Sequence, residues 1–378
     1  MAKFELGRLL QNEGALLRSL IEESRDAVQL AEYKRLAEAA FNDSIEMYEE
    51  VIQKFQGNAE EEFTYSLARF WKGIAIYNKG LIYPEDDLAR RSTLGTAKTH
   101  WEAFIWDYDG YLMGAYGYMY MGLTHYALAE YNDALEYLRT AAGIDVEGDT
   151  EVERNRCRDL ILTAGFHIGR LANDVKKVDQ GGTVIDYQRL GTEILVEVFK
   201  KVPEARERKT GHLAMLELAK CYLGIRDFAN AIGTAREVSN LAVARSEPWA
   251  RGTGTLADRL IGEIIAEASR SDFEIPQDPE MLWRAAEGKW RQRDFVAAAS
   301  TYQQVIEACG DDANMLERKI EAWLKVANCF HRAEGDRYYE AAAAAQHVMD
   351  TWPENKRAGD AAYFRYITLL NQYRFTKD

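Results

Sequence analysis

The chain has 378 residues, of which 47% are hydrophobic. This fraction excludes disorder as the general state of the chain and supplies enough apolar surface for a continuous core. With 61 acidic and 47 basic residues the formal net charge is −14, which repels phosphate backbones and anionic lipid surfaces. Composition therefore argues against nucleic acid as a general partner.

The first hundred or so residues are predicted to form helices. An apolar stripe at helical spacing runs to about residue 30 and is expected to cap or precede the first helix pair. Residues 41–51 have the pattern of a second helix, with Ser44 in the position for a small side chain. An aromatic-rich helix follows at 63–83, then a polar connection at 84–93, and Trp101 restores the second-helix spacing.

One spacing recurs at three places further along the chain. A small residue is followed twelve positions later by a second small residue, with an aromatic residue three positions before the second. Two antiparallel helices explain this pattern, because small residues allow their backbones to approach closely. Such a pair cannot bury its apolar face alone, so stacking into a solenoid is expected. The three sets are Gly122/Tyr131/Ala134, Ala219/Phe228/Ala231 and Ala286/Phe295/Ala298.

The segments between these sets are less regular. Residues 152–175 are predicted to be a first helix, 179–183 a loop, and 246–255 a turn before a helix that starts at Leu256. Acidic residues and prolines predict a hinge near 271–280. The predicted organisation is repeats with an N-terminal capping helix over 1–270, a possible hinge at 271–280, and repeats ending in an unpaired helix over 281–378.

These residues resemble a known family. The cleanest unit resembles a tetratricopeptide repeat through Tyr118, Met121, Gly122, Tyr126, Tyr131, Ala134, Leu138 and Ala141, and 215–238 and 282–305 are similar. The resemblance implies an all-α fold, a right-handed superhelical solenoid of antiparallel helix pairs, and a protein-interaction scaffold that is not an enzyme. Positions usually holding tyrosine or a turn glycine depart from the family pattern at His125, Lys289, Ala129, Arg226 and Arg293.

The resemblance also implies a concave groove lined by the first helix of each pair. Aromatic and arginine side chains in that groove would anchor a partner, because they bury large areas at low entropic cost. Packing of the same aromatic residues against neighbouring units is the competing interpretation. The family's carboxylate clamp is disfavoured, because only Asn328 and Arg332 resemble part of it. The predicted groove residues are Tyr116, Met119, Leu123, Tyr126, Lys220, Trp283, Glu287, Trp290, Arg291, Asn328, His331 and Arg332.

Patterns that carry chemistry are weak in this sequence. The six histidines lack ligand spacing, since no two are three to five residues apart, and the glycine clusters read as turns. We therefore expect no metal site, no cofactor and no catalytic residue. The four cysteines, without a C-x-x-C pair, are expected to be core residues in a reducing compartment, and no apolar run has the length of a membrane span. These features predict a cytoplasmic protein with no membrane insertion.

The predicted function is a non-catalytic scaffold that binds a protein or peptide in the groove. The net charge of −14 suggests that this partner is neutral or basic. Two alternatives stay open. The chain could be a building block that self-assembles end to end into a homo-oligomer, or a ligand-sensing or enzymatic domain that uses the long connections at 84–96 and 176–186.

Overall fold

A computed structural model gives the architecture of the chain and describes residues 2–180, 183–269, 279–333 and 337–375. These residues are almost wholly α-helical, so the predicted all-α class is confirmed. The chain forms two compact units, Met1–Pro203 (unit 1) and Glu204–Asp378 (unit 2). The predicted hinge lies outside the described residues except for Pro279 and Glu280, which begin a helix.

Unit 1 is built from helix pairs in which each helix packs on the one before it. Helices α1, α3, α5 and α7 also contact one another in that order, and we call them the first-helix layer. A short hairpin of strands β1 (Lys177–Gln180) and β2 (Thr183–Asp186) joins the last two helices. The helices are α1 (Ala2–Glu23), α2 (Ala27–Phe55), α3 (Glu62–Gly80), α4 (Leu88–Tyr108), α5 (Leu112–Ala127), α6 (Tyr131–Ala142), α7 (Glu151–Val175) and α8 (Tyr187–Lys201).

Unit 2 continues the same principle, since consecutive helices again pack on each other. Its first and third helices are also in contact. A short 3-10 helix at Pro203–Glu207 precedes the first of them. The helices are α9 (Lys209–Gly224), α10 (Phe228–Val243), α11 (Pro248–Ser269), α12 (Pro279–Arg291), α13 (Phe295–Cys309), α14 (Leu316–Arg332), α15 (Tyr338–Thr351) and α16 (Ala358–Phe375).

The close crossings predicted from the recurring small residues are present. A Cβ atom added at Gly122 would lie 2.7 Å from Leu138 Cγ and 3.0 Å from the Ala134 carbonyl oxygen, so α5 and α6 touch at this point. The corresponding Ala219 and Ala286 are fully buried. Each of the three sets therefore marks a helix pair, α5/α6, α9/α10 and α12/α13, as the spacing indicates.

The turns of these three pairs share one unusual backbone conformation. Ala129, Arg226 and Arg293 have φ angles of 63°, 61° and 64°, in the left-handed region that favours glycine. They are the positions at which the tetratricopeptide pattern usually has a turn glycine. The repeat therefore keeps its turn geometry even where the residue that best suits it is missing.

Arg226→Gly should consequently stabilise unit 2 by about 0.5–1 kcal/mol, because glycine adopts a positive φ without a steric penalty. The matched control is Arg251→Gly within α11, where glycine should cost about 1 kcal/mol. Denaturant unfolding followed by circular dichroism measures both. Two changes of the same sign would show that the turn is not strained.

The starts of two helices differ from the sequence prediction. α11 begins at Pro248 and not at Leu256, because proline is tolerated in the first turn of a helix. Gly254 lies inside α11 where this helix crosses α10, and a Cβ atom added there would lie 2.9 Å from Ala242 Cβ. α4 begins at Leu88, capped by Asp87, which accepts a hydrogen bond from the Ala89 amide at 2.8 Å. The connection before α4 therefore runs over 81–87, somewhat shorter than the predicted 84–93.

The segment expected as a loop at 179–183 belongs to the β hairpin, apart from residues 181–182, which lie outside the described residues. Val178 pairs with Ile185, and Lys177 pairs with Asp186, whose carboxylate lies 3.3 Å from the lysine Nζ. The two adjacent β-branched residues at 184–185 favour an extended conformation. The glycine pair before them led to the prediction of a loop.

Candidate protein-binding surfaces

The first-helix layer of unit 1 encloses a cleft of about 930 Å³, which we call the unit 1 cleft. All four helices of that layer contribute to it through the residues near their C-terminal ends. The start of α4 and the α5–α6 turn close its sides. The polar and aromatic lining residues are Arg18, Glu22, Tyr77, Asn78, Glu85, Arg90, Arg91, Tyr120, Tyr126, Tyr131, His167, Arg170 and Asp174.

Four arginines line this cleft, and they are held in different ways. Arg18 donates from Nη1 to Asn78 Oδ1 at 2.6 Å. Arg90 donates to the carbonyl oxygens of Tyr83 and Ala127 at 3.1 and 3.4 Å, which fixes its position without neutralising its charge. Among the described residues, neither Arg90 nor Arg91 nor Arg170 forms an ion pair. Their positive charge is therefore available to a ligand.

Tyrosine hydroxyls and one histidine complete the polar lining. Burial raises the pKa of Tyr77, while the charges of Arg18, Arg90 and Arg170 act in the opposite direction. Burial and the nearby Arg170 lower the pKa of His167 to about 4, so this imidazole is neutral at physiological pH. The cleft thus offers hydrogen-bond donors that keep their protonation state.

In unit 2 the predicted tryptophans take part in a different arrangement. Three cations on α14 alternate with two indole rings on α12, both sets at a seven-residue spacing. Arg318 lies 4.4 Å from the ring centre of Trp283, and Lys325 lies 5.7 Å from the rings of both Trp283 and Trp290. Arg332 lies 5.4 Å from Trp290. We call these five residues the indole–cation stack, and it joins two helices through cation–π contacts.

Two glutamates on α12 hold two of the three cations of the stack in place. Glu280 accepts from Arg318 at 2.9 Å. Glu287 accepts from Lys325 Nζ and from the Tyr302 hydroxyl, each at 2.5 Å. Burial alone would raise the pKa of Glu287, but these two hydrogen bonds outweigh it and lower the pKa. Arg332, the third cation, donates instead to the neutral Asn328 side chain at 3.0 Å.

The sequence-predicted residues of α5 divide between core and cleft. Met119 is buried, with 4% of its surface exposed, and Tyr116 packs edge-on against Phe70 at 5.8 Å. Leu123 and Tyr126 line the unit 1 cleft, and the Tyr126 hydroxyl donates to Asp174 on α7. A role of these four residues in partner binding stays a prediction.

The predicted residues of unit 2 lie at several places. Lys220 is exposed and pairs with Glu217 at 2.7 Å, beside a hollow between α9 and α11. Arg291 pairs with Asp258 at 3.2 Å. His331 accepts or donates at 3.2 Å to the Thr368 hydroxyl, depending on its tautomer.

Asn328 lines a hollow of about 180 Å³ with Trp290 and Lys325, and it accepts a hydrogen bond from Arg332 at 3.0 Å. Trp283, Glu287, Trp290 and Arg332 are the members of, or supports for, the indole–cation stack. Trp283, Glu287 and Trp290 of α12 pack against α14, and Arg332 of α14 lies against Trp290, which is the competing interpretation that the sequence left open. Their contact with a partner stays a prediction.

Sequence reasoning did not select the four arginines of the unit 1 cleft. Arg18, Arg90, Arg91 and Arg170 lie in three helices whose repeat pattern is degenerate, so the family pattern did not predict that they line the cleft. One feature of the sequence could have predicted them: Leu123 and Tyr126 were assigned to the groove near the end of α5, so residues near the ends of the other first helices are candidates for the same surface. The matching ends of α1 and α7 hold Arg18 and Arg170.

One group of side chains has donor atoms close enough to hold a metal ion. Among the described residues, His125, Glu130 and Asp133 place one ligand atom each within 4.8 Å of one another. The same Glu130 oxygen lies 2.5 Å from His125 Nδ1 and 3.1 Å from Lys98 Nζ. A lysine ammonium on a ligand oxygen opposes a cation there, so these contacts fit an ion-pair cluster that closes the α5–α6 turn.

The stacked helix pairs, with small residues at their crossings and an aromatic residue at each turn, define a tetratricopeptide-like repeat fold. No family model matches the chain, and no curated protein matches it. Among the described residues no helix is both long and apolar enough to cross a bilayer.

Three solved structures are similar to the chain. A signal-transduction ATPase with numerous domains and a tetratricopeptide repeat sensor, from Pyrococcus horikoshii, matches 97% of this chain and 50% of its own at 11% identity and a TM-score of 0.33. The tetratricopeptide domain of P58(IPK) matches 87% of this chain and 89% of its own at 15% identity and a TM-score of 0.20. A circular tandem repeat protein with a novel repeat topology matches 100% and 98% at 14% identity and a TM-score of 0.22.

The chain spans about half the length of the ATPase that it matches. TM-scores this low carry no argument about function. The fold assignment rests on the helix pairs themselves.

Proposed function

We propose that this chain is a non-catalytic scaffold that binds a protein segment on its first-helix layer. The observation that carries the proposal is the unit 1 cleft, to which four successive first helices contribute side chains. A surface assembled from several repeats suits an extended segment, because each repeat can contact a different part of it. Arginine and tyrosine, which anchor protein interfaces, are the prominent residues of its lining.

The cysteines support a non-catalytic role. Cys157, Cys221, Cys309 and Cys329 are all buried, and none of them forms a disulfide within the part of the chain that the structure describes. Burial raises the pKa of the Cys329 thiol to about 12, and it raises the pKa of Cys309 as well. A thiol with a raised pKa is a poor nucleophile at neutral pH, so Cys309 and Cys329 serve packing.

Partner contacts in unit 2 form the second part of the proposal. The hollow beside Lys220 and the smaller hollow beside Asn328 are open surfaces that include predicted groove residues. The tryptophans of the indole–cation stack would contribute the edges of their rings rather than whole faces, because cations cover the faces.

Site-specific photocrosslinking tests this function. Benzoylphenylalanine in place of Leu81, in the unit 1 cleft, should capture a partner polypeptide when the purified chain is added to extract and irradiated. The control is the same residue in place of Arg139, which is exposed on α6 and lines a depression shared with α8. Adducts should form at the first position and be several-fold weaker at the second. Equal yields at both positions would contradict binding on the first-helix layer.

Self-assembly is the second candidate function, favoured by exposed aromatic residues on α16. Tyr363, Tyr366 and Tyr373 are 70%, 62% and 56% exposed. Such a surface could pack on another copy of the chain. In the crosslinking experiment, an adduct consisting of two copies of this chain would favour self-assembly over partner binding.

A further inference from the structure

The charge of the unit 1 cleft is opposite in sign to the charge of the whole chain. The chain carries 61 acidic against 47 basic residues. The cleft is lined by Arg18, Arg90, Arg91 and Arg170 against the carboxylates of Glu22, Glu85 and Asp174. Because charges beyond a Debye length of about 8–10 Å are largely screened, the local balance matters more to a bound segment than the net charge.

The three carboxylates offset three of the four arginine charges, so the lining of the cleft carries a net charge of +1. Asp174 accepts the Tyr126 hydroxyl, and Glu22 lies 3.7 Å from Arg18 Nε. Arg90 is anchored by two carbonyl oxygens, and its buried Nε has no hydrogen-bond partner among the described residues. A charged donor of this kind, fixed in place and incompletely satisfied, favours an incoming acceptor.

The arginines and the tyrosine of the cleft also indicate which acceptor groups a bound segment would present. Guanidinium groups bind carboxylate and phosphate oxygens through two parallel hydrogen bonds, which gives geometric selectivity as well as charge. The Tyr77 hydroxyl lies in the field of three arginines and adds a neutral donor at the same place. A long polyanion such as nucleic acid is disfavoured, because the chain as a whole carries −14.

From this geometry we infer that the unit 1 cleft binds an acidic protein segment, with carboxylate or phosphate groups of that segment against Arg90, Arg91 and Arg170. The inference rests on the proposed scaffold function and specifies its partner. It replaces the expectation of a neutral or basic partner, which was drawn from the net charge alone.

Fluorescence anisotropy with three labelled peptide pools tests the inference. The pools have equal length and equal apolar content, and their charged positions hold glutamate, phosphoserine or lysine. The glutamate or the phosphoserine pool should bind, more weakly as salt is added, and the lysine pool should not. A preference for glutamate indicates carboxylate recognition, and a preference for phosphoserine indicates phosphate recognition.

The test variant is R91Q/R170Q, because both side chains are exposed and neither forms a hydrogen bond or an ion pair with a described residue. Its affinity for the acidic pools should fall roughly tenfold, as expected when two charge-assisted contacts are removed. The matched control R139Q/R156Q removes the same charge from exposed positions outside the cleft and should change the affinity less than about twofold. Circular dichroism confirms that both variants fold.

Three outcomes would overturn the inference: tighter binding of the lysine pool, an equal loss of affinity in both variants, or no binding of any pool. If the Leu81 position still captures a partner in those cases, the scaffold function stands and only the acidic partner is wrong. If the photocrosslinking also fails, the scaffold function itself is wrong.

Discussion

Trp101→Ala should lower the free energy of unfolding of unit 1 by about 3–5 kcal/mol, as expected for the loss of a large buried ring. Trp101 is fully buried, stacks on Tyr120 at 5.2 Å, and meets Phe70 and Phe104 edge-on at 5.9 and 5.7 Å. Its removal leaves a cavity among rigid aromatic neighbours that cannot close it. Guanidinium unfolding followed by circular dichroism measures the loss.

The control lies on the same helix. Trp106 is 86% exposed, so Trp106→Ala should change the stability by less than about 0.5 kcal/mol. Similar losses from both substitutions would mean that the aromatic cluster around Trp101 is not the core of this region. Since Tyr120 also lines the unit 1 cleft, Trp101→Ala should weaken ligand binding as well, through a looser cleft wall.

Gly211→Ala should cost about 3 kcal/mol or more, because overpacking against backbone cannot be relieved by a rotamer change. A Cβ at this position in the first turn of α9 would overlap the carbonyl oxygen of Ala205. That oxygen also accepts the Arg208 amide at 3.1 Å, so it is not free to move. The melting temperature and the midpoint of denaturant unfolding both report the loss.

Gly233→Ala is the matched control, since Gly233 lies in α10 and a Cβ there would meet no atom within 4 Å. This change should be neutral or stabilise the protein by up to about 1 kcal/mol, from helix propensity alone. A loss at Gly233 comparable to that at Gly211 would refute the steric explanation.

Gly114 repeats the arrangement of Gly211 in unit 1. Its Cβ would overlap the carbonyl oxygen of Tyr108, and Gly114 stands at the same offset before Gly122 as Gly211 does before Ala219. Two of the repeats therefore have a second close approach, where the chain enters α5 and α9. Sequence reasoning missed it because a lone glycine inside a helical pattern does not reveal which carbonyl it faces.

The unit 2 tryptophans illustrate why residue type alone did not decide a role. Trp283 and Trp290 are the kind of residue that anchors an interface, yet each is flanked by two cations of α14. The same ring properties that suit a partner also suit a neighbouring helix. The spacing of Arg318, Lys325 and Arg332 on α14 matches that of the tryptophans, and this correspondence was visible in the sequence only in hindsight.

The sequence by itself determined the helix pairs. The small residues at Gly122, Ala219 and Ala286 predicted where two helices touch, and the structure confirms each crossing. This was possible because a hairpin is a local structure: both helices and their turn lie within a few tens of residues, so one periodic pattern records the contact. The sequence predicted a turn over the residues from Pro248 to Gly254, but α11 already begins at Pro248 and packs against α10 at Gly254.

Only the tertiary structure decided the contents of the unit 1 cleft. Arg18 and Arg170 belong to different helix pairs, separated by most of the unit, and no local pattern relates them. Which side of a helix faces the cleft depends on the crossing angles between successive pairs, and these angles follow from packing contacts distant in sequence. The sequence therefore revealed the repeating element, while the stacking of those elements brought the arginines together.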